Sequence, residues 1–232
     1  MRLGLTMRRM PNLFAYIFAC VLTLGVVAFL DHLQPGLFVA YAGPLPALPA
    51  AFVVCIAGGL TLGVLVKRFG YHFLAPAVPR RARALAMLWT LPFMVAATLA
   101  DMTLGFPRDI NVAPPAALLF YPVMGLLAQF ALHVVPFALL LLLLQRVWRG
   151  GDPRHRTLVA IVLASAMECV LQTSGGKASG LGLTVFVVVH LLAFGIVELT
   201  LFRRFDYLTA YAFRLTYYAW WHLAWGMLRT AV

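Results

Sequence analysis

Charge is what this sequence has least of. Of its 232 residues, only 11% are Asp, Glu, Lys or Arg and 63% are hydrophobic. A soluble domain carries about 25% charged residues. A chain this short of charge could not clothe a water-facing surface, so the soluble classes are excluded. No stretch is polar and long enough to form a separate soluble domain, and one membrane domain accounts for the whole length. Cysteine is scarce too. Cys20, Cys55 and Cys169 lie far apart in apolar runs. Without a CxxC or Cys/His spacing, they exclude a disulfide framework and a zinc knuckle. No internal repeat is evident, so the inverted-repeat logic of secondary transporters finds no support.

What is present is a series of apolar runs. A helix crossing the hydrocarbon core needs about 20 mostly apolar residues. On that basis the sequence predicts an all-α, polytopic bundle of about seven spans, near 12–30, 47–66, 83–104, 115–145, 157–174, 181–202 and 207–229. The fourth run is long and contains Pro122 and Pro136. Proline removes a backbone donor, so a kinked, tilted span or a break near Pro136 is expected. The segment "GLTLG" (Gly59 to Gly63) predicts close helix contact in the second span. The first run follows Arg8 and Arg9 but is long for a signal-peptide core. The small residues "AYA" at 40–42 lie well past its end, so a retained span is expected.

The basic residues sort by loop. Arg2, Arg8 and Arg9 precede the first span. Lys67, Arg68, Arg80, Arg81 and Arg83 follow the second, Arg146, Arg149, Arg154 and Arg156 the fourth, and Arg203 and Arg204 the sixth. These are 14 of the 18 Lys and Arg residues, all on one side if seven spans alternate. The opposite loops hold only Arg108 and Lys177, with Arg229 near the C-terminal end. The positive-inside rule therefore orients the N-terminus to the cytoplasm and the C-terminus outside. The net charge of +11 is topological. It implies contact with membrane lipids and no nucleic-acid partner. The expected location is an integral one, in a bacterial or archaeal plasma membrane.

Ionisable groups inside spans are expensive and mark function by default. Here they are His133 and, one turn away, Gln129 in span four, Glu168 in span five, His190 and Glu198 in span six, and Arg214 and His222 in span seven. His133, Glu168, His190 and His222 each lie 12 to 16 residues from the cytoplasmic end of their span. At 1.5 Å per residue that is about 18–24 Å deep, at mid-membrane or somewhat beyond. Spacing gives the facing. Ser165, Glu168 and Gln172 share one face of span five, and Gln129 and His133 one face of span four. Arg214, Tyr218 and His222 follow at i+4 steps. Glu198 and Arg214 sit nearer the cytoplasm, at one level, and are expected to form a structural ion pair, since unpaired charges there are costly. Trp225 is read as an outer-interface anchor.

Span six contains "FVVVH", an FxxxH ending on His190, and span seven contains "YYAWWH", ending on His222. A glutamate, an FxxxH and a second histidine, each on its own helix, resemble the CPBP family. These are the CAAX-prenyl endopeptidases and the bacteriocin-processing, immunity or abortive-infection membrane proteins. The resemblance covers about residues 115–226. The family's paired-glutamate motif, EExxxR, has no match. "MECVLQ" offers the single Glu168, and "AQFALH" places glutamine where the glutamate would stand. The family's HxxxN becomes "HLAWG", with Gly226 in the last place.

The resemblance implies a glutamate-dependent intramembrane peptidase, in a degenerate form if the missing motifs have cost it catalysis. Glu168 would activate water, and His190 and His222 would hold the water or the oxyanion. Gln129, His133, Ser165 and Gln172 would support them. The substrate implied is a membrane-embedded peptide or protein, with no cofactor and no metal. Two other classes fit the same residues. One is a non-catalytic membrane partner or transport subunit with a buried polar core. The other is a metal or haem protein ligated by the histidines.

Overall fold

The computed structural model describes residues 10–75, 77–107, 110–173 and 180–231. Expectations resting on Arg2, Arg8, Arg9, Arg108 and Lys177 lie outside the described residues. The described residues are mostly helical, with no strand among them. The helices are α1 (Met10–Leu33), a short α2 (Leu37–Ala42), α3 (Ala47–Phe69), α4 (Arg80–Met87), α5 (Leu91–Leu104), α6 (Ala117–Ala128), α7 (Val135–Val147), α8 (Pro153–Thr173), α9 (Leu181–Arg204), α10 (Tyr207–Tyr218) and α11 (Trp225–Ala231).

Several of these join end to end. A 3-10 turn links α4 to α5, and π-helical turns link α6 to α7 (Gln129–Val134) and α10 to α11 (Ala219–Ala224). Six of the resulting rods are long and apolar enough to cross a membrane: Leu13–Leu33, Ala47–Phe69, Arg80–Leu104, Ala117–Val147, Pro153–Thr173 and Leu181–Arg204. The seventh expected span, near 207–229, is a rod of similar length from Tyr207 to Ala231. It is less apolar than the other six, because Arg214, His222 and its tyrosines line the interior. Large apolar side chains such as Phe14, Phe18, Leu60 and Leu181 are exposed on the outside of the bundle. This outward-facing apolar surface is what an integral membrane protein presents to lipid.

The long fourth rod does not break at Pro136. Proline cannot donate to the carbonyl one turn back. The chain answers with the wider turn just ahead of it, where the Val135 amide bonds to Phe130 O, five residues back. That turn carries Gln129 and His133.

The alternation of rods is visible at both ends. At the basic end, the 70–75 segment meets the α9–α10 corner, with Tyr207 N donating to His72 O at 3.0 Å and Leu208 N to Phe73 O at 3.1 Å. Asp206 there accepts from Thr209 N at 2.7 Å as the N-cap of α10. It also accepts from Ala75 N at 2.8 Å and Arg83 Nη2 at 2.7 Å. Gly70 ends α3 at φ 74°, a turn that favours glycine. At the other end Arg229 pairs with Asp101 at 3.0 Å. Trp225, expected to anchor at the outer interface, donates to Asp101 Oδ2 at 2.7 Å.

The core is aromatic. The ring of Tyr207 lies between Phe73 and Phe130, stacked at centroid separations of 5.0 and 4.5 Å. Close helix approach in α3 is made by adjacent glycines and not by the expected Gly59–Gly63 pair. Gly58 abuts Phe130 and Gly59 abuts Tyr16, while nothing lies within 4 Å of the place a Cβ on Gly63 would take.

Candidate functional site

Four rods bring charge to one buried point. Arg214, from α10, donates through Nε to Glu198 Oε1 at 2.8 Å and through Nη2 to Glu198 Oε2 at 2.6 Å. The fork geometry of a guanidinium matches a carboxylate in this way. Glu198 belongs to α9. The same Nη2 reaches Glu168 Oε1 of α8 at 3.5 Å, and Nη1 donates to Tyr218 Oη at 3.1 Å. His133 closes the group from the π turn of the fourth rod. Its Nδ1 lies 3.2 Å from Arg214 Nη2, and its Nε2 lies 2.9 Å from Glu168 Oε2 and 3.6 Å from Glu198 Oε2. All four side chains are buried.

The proton positions follow from donor inventory. A guanidinium only donates, so His133 Nδ1 accepts and the ring proton sits on Nε2, toward the carboxylates. The Nε2 to Glu168 Oε2 approach is close but not aligned as a hydrogen bond. Glu168 Oε1 is taken as well: Gln172 Nε2, one turn along α8, donates to it at 2.9 Å. Two carboxylates thus face one guanidinium and one imidazole, all of them buried. Gly195 allows α9 to pass this close. A Cβ there would fall 2.9 Å from His133 Nε2 and 2.9 Å from Ser165 Oγ.

The expected trio of Glu168, His190 and His222 shares a cavity without sharing a hydrogen bond. The cavity has a volume of about 190 Å³, and its walls include Glu168, Gln172, His190, Tyr217, Trp221 and His222. His190 Nε2 pairs with Tyr217 Oη at 3.0 Å. The His190 ring lies among Phe93, Phe186 and Phe194. His222 Nδ1 pairs with Asn111 Oδ1 at 2.7 Å, and its ring stacks on Tyr121 at 4.1 Å. A second, larger cavity of about 840 Å³ lies on the other side, walled by apolar residues such as Phe38, Met124 and Leu127. Gln172, Tyr218 and His222 line both cavities and form the partition between them.

The remaining expected residues fall out differently. Ser165 donates to Ile161 O of its own helix at 2.9 Å and takes no part in the charge cluster. Gln129 is buried, and its Oε1 has no hydrogen-bond partner among the described residues. His133, expected to support the site from behind, is at the centre of the cluster. Among the described residues, no three His, Cys, Asp or Glu side chains are placed to hold a metal ion. Asn111 and Tyr121 were not singled out in the sequence. Asn111 sits in the segment before α6, where polar residues are ordinary, so no signal marked it.

Compared with protein-family models, with curated proteins and with solved structures, the chain matches none.

Proposed function

We propose that this chain is a CPBP-like integral membrane protein that binds a membrane-embedded peptide in its paired cavities and has lost the glutamate-dependent hydrolytic step. The basic loops would face the cytoplasm of a bacterial or archaeal cell. One observation carries the reading. Glu168 is buried, with Oε1 accepting from Gln172 and reaching Arg214, and with Oε2 packed 2.9 Å from His133 Nε2. A general base must reach the proton that it removes, and a buried carboxylate held against a guanidinium and an imidazole is poorly placed to take one from water. The cavities remain, both walled mostly by apolar surface, with the charged and most of the histidine side chains on the smaller one. That combination suits a ligand with a peptide group and an aliphatic stretch.

The test is site-specific photo-crosslinking in cells that produce the protein, with a benzoylphenylalanine at Val187 in the smaller cavity. A membrane peptide adduct is expected, lost when Leu191→Trp fills the cavity and kept in Glu168→Gln. An adduct insensitive to Leu191→Trp would refute binding in the cavity.

A second reading is hydrolysis with His222, not Glu168, as proton acceptor. The His222–Asn111 bond favours it, because it occupies Nδ1 and leaves Nε2 for the cavity. Nε2 would take a proton from the attacking water as oxygen bonds to the peptide carbonyl carbon. It would then return that proton to the departing amine as the C–N bond breaks.

A further inference from the structure

The surroundings of His222 hold a device that the charge cluster does not use. His222 lies in the π turn of the seventh rod, and Gly226 follows one turn later. Asn111 enters from outside that rod. Its Oδ1 meets His222 Nδ1 at 2.7 Å, and its Nδ2, buried and without a hydrogen-bond partner among the described residues, lies 2.7 Å from where a Cβ on Gly226 would be. A side chain at 226 would therefore evict the amide. The segment bearing Asn111 is clamped on both sides. Tyr41 Oη donates to Asn111 O at 3.1 Å, and Val112 N donates to Tyr121 Oη at 2.7 Å. Tyr121 in turn lies flat on the His222 ring, at 4.1 Å and 13°. The imidazole is thus held edge-on by an amide and face-on by a phenol ring, and both are tied to one short segment.

We propose that Asn111 is the positioning residue of His222, fixing it as the Nδ1–H tautomer so that the bare Nε2 accepts a hydrogen bond from an N–H or O–H group of the ligand at the partition between the two cavities. A carbonyl oxygen only accepts, so the proton in the Asn111–His222 bond belongs to Nδ1. In a neutral ring Nε2 then carries the lone pair. Among the described residues Nε2 has no hydrogen-bond partner, and it is not among the fully enclosed orphan atoms. Gly226 has a reason in this arrangement: it leaves the space that the amide fills. The inference rests on the cavity-binding reading for its ligand, but not for its tautomer.

The test is ring nitrogen NMR of 15N-histidine-labelled protein in lipid nanodiscs, with the His222 signals assigned by their loss in His222→Gln. The wild type is expected to show protonated Nδ1 and bare Nε2. Asn111→Asp keeps the acceptor oxygen and is expected to keep that signature. Asn111→Ala and Gly226→Ala are expected to lose it, with Nδ1 moving toward the bare-nitrogen range. A wild-type ring protonated at Nε2 overturns the proposal, as does a ring unchanged by Asn111→Ala or by Gly226→Ala. The wild type and Asn111→Asp decide the matter even if the other variants do not fold. Because no ligand enters this measurement, failure here is separate from failure to capture a peptide in the cavity.

Discussion

Arg214 holds both oxygens of Glu198, at 2.8 and 2.6 Å, and with the same guanidinium reaches Glu168 at 3.5 Å. One cation thus sits between two carboxylates from different rods. Removing it leaves both acids buried and adjacent. Breaking a buried pair from one side costs about 3–5 kcal/mol. Arg214→Leu is therefore expected to abolish or sharply reduce folded protein. Arg214→Leu combined with Glu198→Gln is expected to recover part of the loss. Thermal unfolding in detergent, monitored by circular dichroism, checks both.

The two glutamates are not equivalent. Glu198 takes two short charge-assisted bonds, and Glu168 takes one long contact to the same guanidinium. Hydrogen bonds to charged groups are worth about 1.5–3 kcal/mol each. Glu198→Gln is expected to lower the melting temperature clearly more than Glu168→Gln. The reverse order would mean that Glu168 is the main partner of Arg214.

Glycine positions give a sharper packing test. A Cβ on Gly195 would press on His133 Nε2 and Ser165 Oγ, and one on Gly58 would fall 2.7 Å from the Phe130 ring. Overpacking of this kind costs about 1–3 kcal/mol. Gly63 lies in the same helix as Gly58 but meets nothing within 4 Å. There alanine gains helix propensity, about 0.8–1.0 kcal/mol. Gly195→Ala and Gly58→Ala should melt lower than wild type, and Gly63→Ala at the same temperature or higher.

Asp206 ties the basic end together. It caps α10 through Thr209 N and Thr209 Oγ1, accepts from Ala75 N, and pairs with Arg83. Loss of a helix cap costs about 0.5–2 kcal/mol, and a buried orphan N–H about 1–3 kcal/mol. Asp206→Ala suffers both and is expected to open the 70–75 segment to limited proteolysis. Asp206→Asn keeps an acceptor oxygen and should be cleaved more slowly than the alanine variant.

The rods were legible in the sequence because lipid imposes long apolar runs and the basic loops mark their ends. The level of Glu198 and Arg214 was legible for a related reason: two charges at one depth, joined by a short corner, have few other partners. Depth gives height, however, and not rotation about the helix axis. His190 and His222 share a level with Glu168, yet one turns to Tyr217 and the other to Asn111. His133 moved to the centre because a π turn re-aims it, and such turns leave little trace in apolar periodicity. Asn111 was invisible for a different reason. It is distant in sequence from His222, and only the folded chain brings it beside Gly226.

The most direct test of the account is the mass of the peptide captured at Val187. The protein is held to bind that peptide with Glu168 held by Gln172, Arg214 and His133 and inactive as a base. The wild type, Glu168→Gln and His222→Ala should then yield the same uncut partner wherever an adduct forms. A shortened partner in the wild type that becomes full-length in Glu168→Gln would contradict the account and restore Glu168 as the base.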